Sequence, residues 1–356
     1  MRVLVVNAGS SSLKLRVLDA GDAVAADADI DAPRSQVDED ALRAWIAGAG
    51  AVDAVGHRIV HGGERFRSAV RVDDGVVREL RALTDLAPLH QPKSLAALDA
   101  VLDALPDTPT VACFDTAFHA TLAPEATTYA VPRAWRERWG VRRYGFHGLS
   151  HAYASRRAAE MTGARRVVTA HLGAGASLAA VRDGRSVDTT MGFTPLEGLV
   201  MATRSGSVDP GLVLWLLEHA RLTPAELSGA LEHESGLMAM AGTPDMRDVL
   251  RRSDSDAQLA VEVYLHRLRS GIGAMTAALG GLDALVFTGG VGENSAPIRE
   301  RAASGLEYLG VRIDFQMNAM AAPDADLSAE GASAHTLVVA AREDIEIARQ
   351  VRSVLA

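Results

Sequence analysis

Arginine, aspartate and histidine recur in this chain beside glycine or at the end of an apolar run. His57, Arg58 and His61 stand in VGHRIVHGGERF, Asp115 and His119 in CFDTAFH, His147 and His151 in RYGFHGLSH, and Arg204 in MATRSGSVDPG. An arginine near glycines can present its planar fork to a phosphate or a carboxylate. A carboxylate at the end of a strand can orient a nucleophile or a metal-bound water. Each residue also has a plainer reading: Arg58 in a surface ion pair, Asp115 as a helix cap, His147 as a hydrogen-bonded core side chain. The plainer reading is the one expected for most of the 11 histidines.

Glycine and serine form a second pattern. NAGSSSLK follows an apolar run at 3–6, HLGAGAS closes another near 167–172, and LDALVFTGGVGENS is an apolar run ending in glycines. A turn of small residues leaves successive backbone N–H groups uncovered, and these make a concavity that suits an anion. Lys14 follows the first turn. It and Lys93 are the two lysines among 36 basic side chains, and a compact ammonium that tracks a phosphate as a point charge is a reason to keep one. A single turn of this kind reads as a plain hairpin with a solvated lysine. Three, behind three apolar runs, point to a nucleotide, which needs backbone contacts from several directions. None of them spells G-x-x-x-x-G-K or G-x-G-x-x-G, so neither a P-loop nor a dinucleotide fold is expected.

These side chains need a scaffold, and 356 residues suffice for two domains. Aromatic residues are only 4%, so Ala, Val and Leu must fill the core. A net charge of −9 disfavours nucleic acid and anionic membranes as partners. Cys113 is the single cysteine, so no disulfide can form within the chain, which suits a reducing cytoplasm. The short N-terminal apolar run stops at Asn7, unlike a signal peptide. LVLWLLEHA is too short to span a bilayer and ends in charge. The 167–184 segment repeats the plan of the first hairpin, a strand, a small-residue turn and a second strand. Helical patterns are expected at 76–86, 94–105, 150–161, 256–279 and 344–355. Strands and helices mixed in this way indicate an α/β protein.

Taken together, NAGSSSLK, GHRIVHGGE, LAPLHQP, FDTAFH, RYGFHGLSH, HLGAGAS, MGFTPLEGL, TRSGSVDPG, FTGGVGENS and IEIAR closely resemble, in order, the segments of the acetate kinase family. The resemblance runs over nearly the whole chain and is far more specific than any one motif. It implies two related domains of the actin-like ATPase (ribonuclease H-like) type clasping a nucleotide in the interdomain cleft. Residues 1–117 with the C-terminal helix from about 343 would form the carboxylate-side domain, and 118–342 the nucleotide-side domain. It also implies reversible, Mg²⁺-dependent (or Mn²⁺-dependent) phosphoryl transfer from ATP to a short carboxylate, by a homodimer.

Matched position by position, Ser10, Ser12 and Lys14 resemble the first phosphate-binding element, and His171 with Gly173 and Gly175 the second. Arg58 and Arg204 look like the pair that grips the substrate and the moving phosphoryl group. Asp115 matches the catalytic aspartate, His147 the histidine that contacts that group, and His90 a further histidine of smaller effect. Val60, Leu89, Phe146 and Pro195 resemble the acyl pocket. Asp245, Met246 and Arg247, with Gly290, Val291 and Asn294, resemble the adenosine side. Asn7 and Glu343 resemble the residues associated with the metal. Three positions depart from the family pattern: Ala174 and Arg342 stand where Asn is usual, and Ser207 where an acidic residue is common. Propionate or butyrate as substrate, or an ATP-driven switch of the same superfamily, are the competing readings. A switch would not need Arg58, Asp115 and His147.

Overall fold

Continuous apolar runs become strands buried on both faces, and glycine-rich turns end them. In a computed structural model, residues 1–8, 12–31, 38–84 and 91–356 are described, with backbone only at 12, 31 and 39. The chain divides into two compact units. The first comprises Met1–Ala120, Phe146–Tyr153 and Arg342–Ala356, and the second Thr121–Gly145 and Ala154–Ala341. The sequence reading assigns 118–342 whole to the second unit, whereas Phe118–Ala120, Phe146–Tyr153 and Arg342 fall in the first. A main-chain bond explains the place of Phe146–Tyr153, since Gly148 N–H donates to the Asp115 carbonyl at 2.9 Å.

The first unit holds a six-stranded sheet built from β1 (Val3–Ala8), β2 (Ser12–Leu18), β3 (Val24–Asp31), β4 (Ala54–Ile59), β5 (Val70–Arg71) and β6 (Thr110–Phe114), in the order β3-β2-β1-β4-β6-β5. β1, β2 and β3 pair antiparallel, whereas β1, β4 and β6 run parallel. Helices cover both faces of the parallel part, which is why its strands are nearly all apolar. Leu4, Val6 and Leu15 pack with Leu42, Ala97 and Val101 on one side. Val3, Val5 and Val111 pack with Ile347, Ala348 and Val351 of the helix Glu343–Leu355 on the other. That helix lies so close to β4 that a Cβ at Gly56 would collide with the side chains of Ile347 and Val351.

The second unit repeats the plan. Its strands are β7 (Arg166–Leu172), β8 (Ala176–Arg182), β9 (Arg185–Thr189), β10 (Ala284–Thr288), β11 (Ala325–Asp326) and β12 (His335–Val338), ordered β11-β12-β10-β7-β8-β9. Read from the other edge this is the order of the first sheet, with an antiparallel β7-β8-β9 meander and parallel β7, β10 and β12. The repeat read at 167–184 is therefore the β7–β8 hairpin. The expected helices are found at Asp74–Ala82, Gln91–Ala104, Gly148–Thr162, Ser255–Leu279 and Glu343–Leu355; residues 85 and 86 of the first lie outside the described residues. No described helix is long and apolar enough to cross a membrane.

His57 is fully buried, on the face of β4 shared with Val55 and Ile59, and neither ring nitrogen has a hydrogen-bond partner among the described residues. Burial pushes its pKa from 6.5 down to about 3. The unfolded chain therefore takes up a proton that the folded one refuses. Stability is full above about pH 6.5 and is lost as pH falls towards 3, by up to about 1.4 kcal/mol per pH unit. His57→Leu, of similar size, is expected to unfold at a higher temperature than wild type, with a larger gain at pH 5 than at pH 7. Equal gains at the two pH values, measured by calorimetry, would remove His57 as the cause.

Candidate active site

Three parallel strands of the first unit deliver Asn7, Arg58 and Asp115 to one place, at their carboxyl ends, where ligands of α/β sheets bind. Arg58 grips Asp115 bidentately, Nε donating to Oδ1 at 3.0 Å and Nη2 to Oδ2 at 2.6 Å. Its Nη1 donates to Asn7 Oδ1 at 3.0 Å and lies 3.4 Å from Glu343 Oε2. Asn7 Nδ2 in turn donates to Glu343 Oε2 at 2.7 Å. Asp115 is 1% exposed, so the network is sealed beneath and open at the Arg58 and Glu343 edge, whose side chains are each 13% exposed. Burial alone would lower the Arg58 pKa, but Asp115 and Glu343 outweigh it and raise it. Burial pushes the Asp115 carboxyl up while Arg58 pulls it back. Arg58 stays charged at neutral pH, because a guanidinium held between two carboxylates does not give up its proton.

His147 stands at the start of the helix Gly148–Thr162 with φ of 56°, a left-handed conformation that is uncommon outside glycine. Such conformations concentrate at functional sites. It is half-buried, whereas His57, His61, His119 and His151 are fully buried. Two of these rings build the support: His119 lies 5.7 Å from His151 and donates from Nε2 to the Phe146 carbonyl at 3.1 Å, and His147 lies 6.5 Å from His151.

The second unit carries a cavity of about 580 Å³. Its walls are largely apolar, with Leu237, Met246, Leu250 and Val291, and polar groups enter from Asp245, Arg247 and Asn294. The volume and the lining suit a drug-sized ligand. Asp245 caps the helix Met246–Arg251, and the Arg247 guanidinium holds its carboxyl down at about 2. Gly289, at φ 78°, lets the chain turn from β10 into the helix Gly289–Asn294 against the Leu172 backbone. Arg204 donates from Nη1 to the Pro195 carbonyl at 3.3 Å, and burial lowers its pKa against the opposing pull of Glu232.

The model of the acetokinase family matches residues 39–349. The chain belongs to the acetokinase family. It is 50% identical over 316 residues to the acetate kinase of Deinococcus deserti, covering 86% of this chain and 79% of that protein. The acetate kinase of Porphyromonas gingivalis has the same fold, with a TM-score of 0.90 at 35% identity and full coverage of both chains. A propionate kinase of Francisella tularensis superposes with a TM-score of 0.91 at 33% identity, covering 99% of each chain. The fold is thus that of the acetate kinases, and the protein is a kinase.

Within this acetokinase, the first unit brings Asn7, Arg58, Asp115 and Glu343 together by hydrogen bonds, and the cavity of the second gathers Gly173, Asp245, Met246, Arg247, Gly290, Val291 and Asn294. His171 and Gly175 belong to the β7–β8 hairpin but do not line that cavity. Val60 and Phe146 are buried, and the His61 ring meets Phe146 edge-on at 5.4 Å. Lys14 is exposed on β2, paired with Asn7 across the ladder. Ser10, Leu89 and His90 lie outside the described residues, as does the Ser12 side chain. Two departures have local accounts. Arg342 turns its guanidinium onto Asp344 at 2.9 and 3.0 Å. The Ser207 hydroxyl accepts from the Gly198 N–H at 3.1 Å. Sequence reasoning missed Tyr264, a buried phenol lining the cavity, and the Tyr129–Arg143–Glu197 cluster. Tyr264 carried no signal, because it sits in an ordinary helical pattern.

Proposed function

We propose that the protein transfers the γ-phosphoryl group of ATP to acetate, reversibly, giving acetyl phosphate and ADP. The observation that carries this is the Asn7–Arg58–Asp115–Glu343 network at the ends of β1, β4 and β6. In-line phosphoryl transfer asks for positioning and charge neutralisation more than for covalent chemistry. Acetate, like other simple carboxylates, is already ionised at neutral pH and needs no base. It needs relief from repulsion by the phosphate, which Arg58, Arg204 and a hydrogen bond from His147 supply. Asp115 is occupied twice over by Arg58 and serves to orient it.

Among the described residues no three His, Cys, Asp or Glu side chains gather as a metal site. One carboxylate from Glu343 and one amide oxygen from Asn7 are nevertheless hard donors of the kind Mg²⁺ takes alongside phosphate oxygens and water. Bound there, Mg²⁺ would neutralise phosphate charge. The apolar cavity supports a nucleoside triphosphate over a bare pyrophosphate as donor, since its walls suit a base. The helix Pro210–Glu218 has no buried residue and exposes Leu212 (45%), Leu214 (58%) and Trp215 (53%). This supports a homodimer that covers it; sedimentation as a monomer at micromolar concentration would remove that reading. The buried lone thiol of Cys113 fits a reducing cytoplasm.

A hydroxamate assay with ATP and acetate tests the reaction. Bound ATP that turns over only to ADP and phosphate would favour the switch instead. By its likeness to the family the acyl pocket takes Val60 and Phe146 of the first unit, so acetate should lead, propionate follow and butyrate be poor. One methylene discriminates by only about 1–3 kcal/mol, which leaves propionate measurably active. Val60→Ala is expected to raise the kcat/KM ratio of propionate and butyrate to acetate. A uniform fall for all three acids would make Val60 packing only.

A further inference from the structure

Glu197 joins the segment before His147 to the loop after β9, all within the second unit. Its Oε1 accepts from Arg143 Nη2 at 2.7 Å and its Oε2 from the Tyr129 hydroxyl. Arg143 also donates from Nη1 to the carbonyls of Thr190 and Met191 at 3.0 and 2.9 Å. The Phe193 N–H donates to the Tyr129 oxygen at 3.0 Å. The Gly192 carbonyl accepts the N–H groups of Tyr144 and Gly145 at 3.0 and 3.3 Å, and a Cβ at Gly192 would collide with the Glu197 carboxylate and the Tyr129 hydroxyl. Residues 190–193 are thus held one after another, and Glu197 closes the far end of the loop on the same two side chains. Between these ends lies Pro195, whose carbonyl accepts from Arg204.

Burial and the adjoining carboxylate raise the Tyr129 pKa, so the phenol stays a donor to Glu197. Arg143 has three acceptors here, one charged. A loop fixed at so many points is more rigid than its half-buried position demands, and the group it fixes is the carbonyl that meets the half-buried Arg204.

We propose that Glu197 is a positioning residue: through Tyr129 and Arg143 it sets the Pro195 carbonyl, and with it the Arg204 guanidinium, for the acyl substrate. This rests on the assignment of Arg204 to the substrate-binding arginines. The alternative is a brace that serves stability alone.

The full-length enzyme carrying Glu197→Gln, Tyr129→Phe, Arg204→Lys, and each of the first two combined with Arg204→Lys decides between them. Acetate and ATP are varied separately, and thermal unfolding is followed for every variant. Misplacement by about 1 Å costs about 100-fold in rate. Glu197→Gln is therefore expected to lower kcat/KM for acetate about 10- to 100-fold while KM for ATP stays within about twofold. In the Arg204→Lys background it should add little, because residues acting as one unit are non-additive. Tyr129→Phe should show a smaller loss of the same kind, and it decides the matter if Glu197→Gln does not fold. Unchanged kcat/KM for acetate, equal effects on both substrates, or full additivity with Arg204→Lys overturns the inference. If Arg204→Lys alone leaves acetate kinetics unchanged, the assignment of Arg204 fails, and the positioning role falls with it.

Discussion

Arg58→Ala is expected to lose about 10²–10³ in turnover, the usual cost of removing one donor to developing charge. It should also destabilise the first unit. Asp115, 1% exposed, would be left as a buried carboxylate without its guanidinium, a loss that typically costs about 3–5 kcal/mol. The two effects separate in the double variant Arg58→Ala/Asp115→Asn. Neutralising the stranded carboxylate should restore much of the unfolding temperature and none of the activity. Turnover by hydroxamate formation and unfolding by calorimetry give both readouts. Recovery of turnover in the double variant, or near-normal turnover in Arg58→Ala, would take Arg58 out of the chemistry.

Gly148→Ala should be nearly as damaging, although a methyl group carries no chemistry. The Gly148 N–H is bonded to the Asp115 carbonyl at 2.9 Å. An added Cβ would fall on that same carbonyl oxygen and 2.9 Å from the Phe118 Cβ. The obstruction is backbone, so no flexible side chain can swing away. The segment must retreat, carrying His147 on one side of the contact and Asp115 on the other. Overpacking of this kind costs about 1–3 kcal/mol. A displacement of even 1 Å at Asp115 would turn Arg58 away from the phosphoryl group, at about 100-fold in rate. We expect kcat/KM to fall at least that far, with a modest loss of thermal stability. A Gly148→Ala enzyme of ordinary activity would show that the helix shifts without disturbing Asp115, and that the contact is packing alone.

Much of this was legible in the residues themselves, where the signal is local. The small-residue turn behind β7 marks a hairpin because only small side chains suit such a turn, and the likeness of this segment to the one that begins at β1 announced a duplicated unit. The motif residues Arg58, Asp115, His147 and Arg204 were legible as candidates because arginine, aspartate and histidine beside glycine are chemically conspicuous. The helix at 255–279 shows a long apolar periodicity that no strand would carry. The two-residue strands β5 and β11 were not legible, being too short for any period to register.

What the sequence determined alone was the inventory: which side chains can hold an anion, where the chain turns, and that one plan occurs twice. Which of them meet was a matter for tertiary structure. Asn7 and Glu343 are 336 positions apart and become hydrogen-bond partners only because the C-terminal helix packs on the face of β1 and β4. Glycine at 56 lets it lie there. The same holds for histidine, where composition cannot separate His57, sealed and unpaired among the described residues, from His147, half-buried in a left-handed turn. Alternation along a strand assigns a side chain to a face, but the neighbours on that face come from strand order and helix placement. Those depend on contacts between distant residues, and no local pattern encodes them.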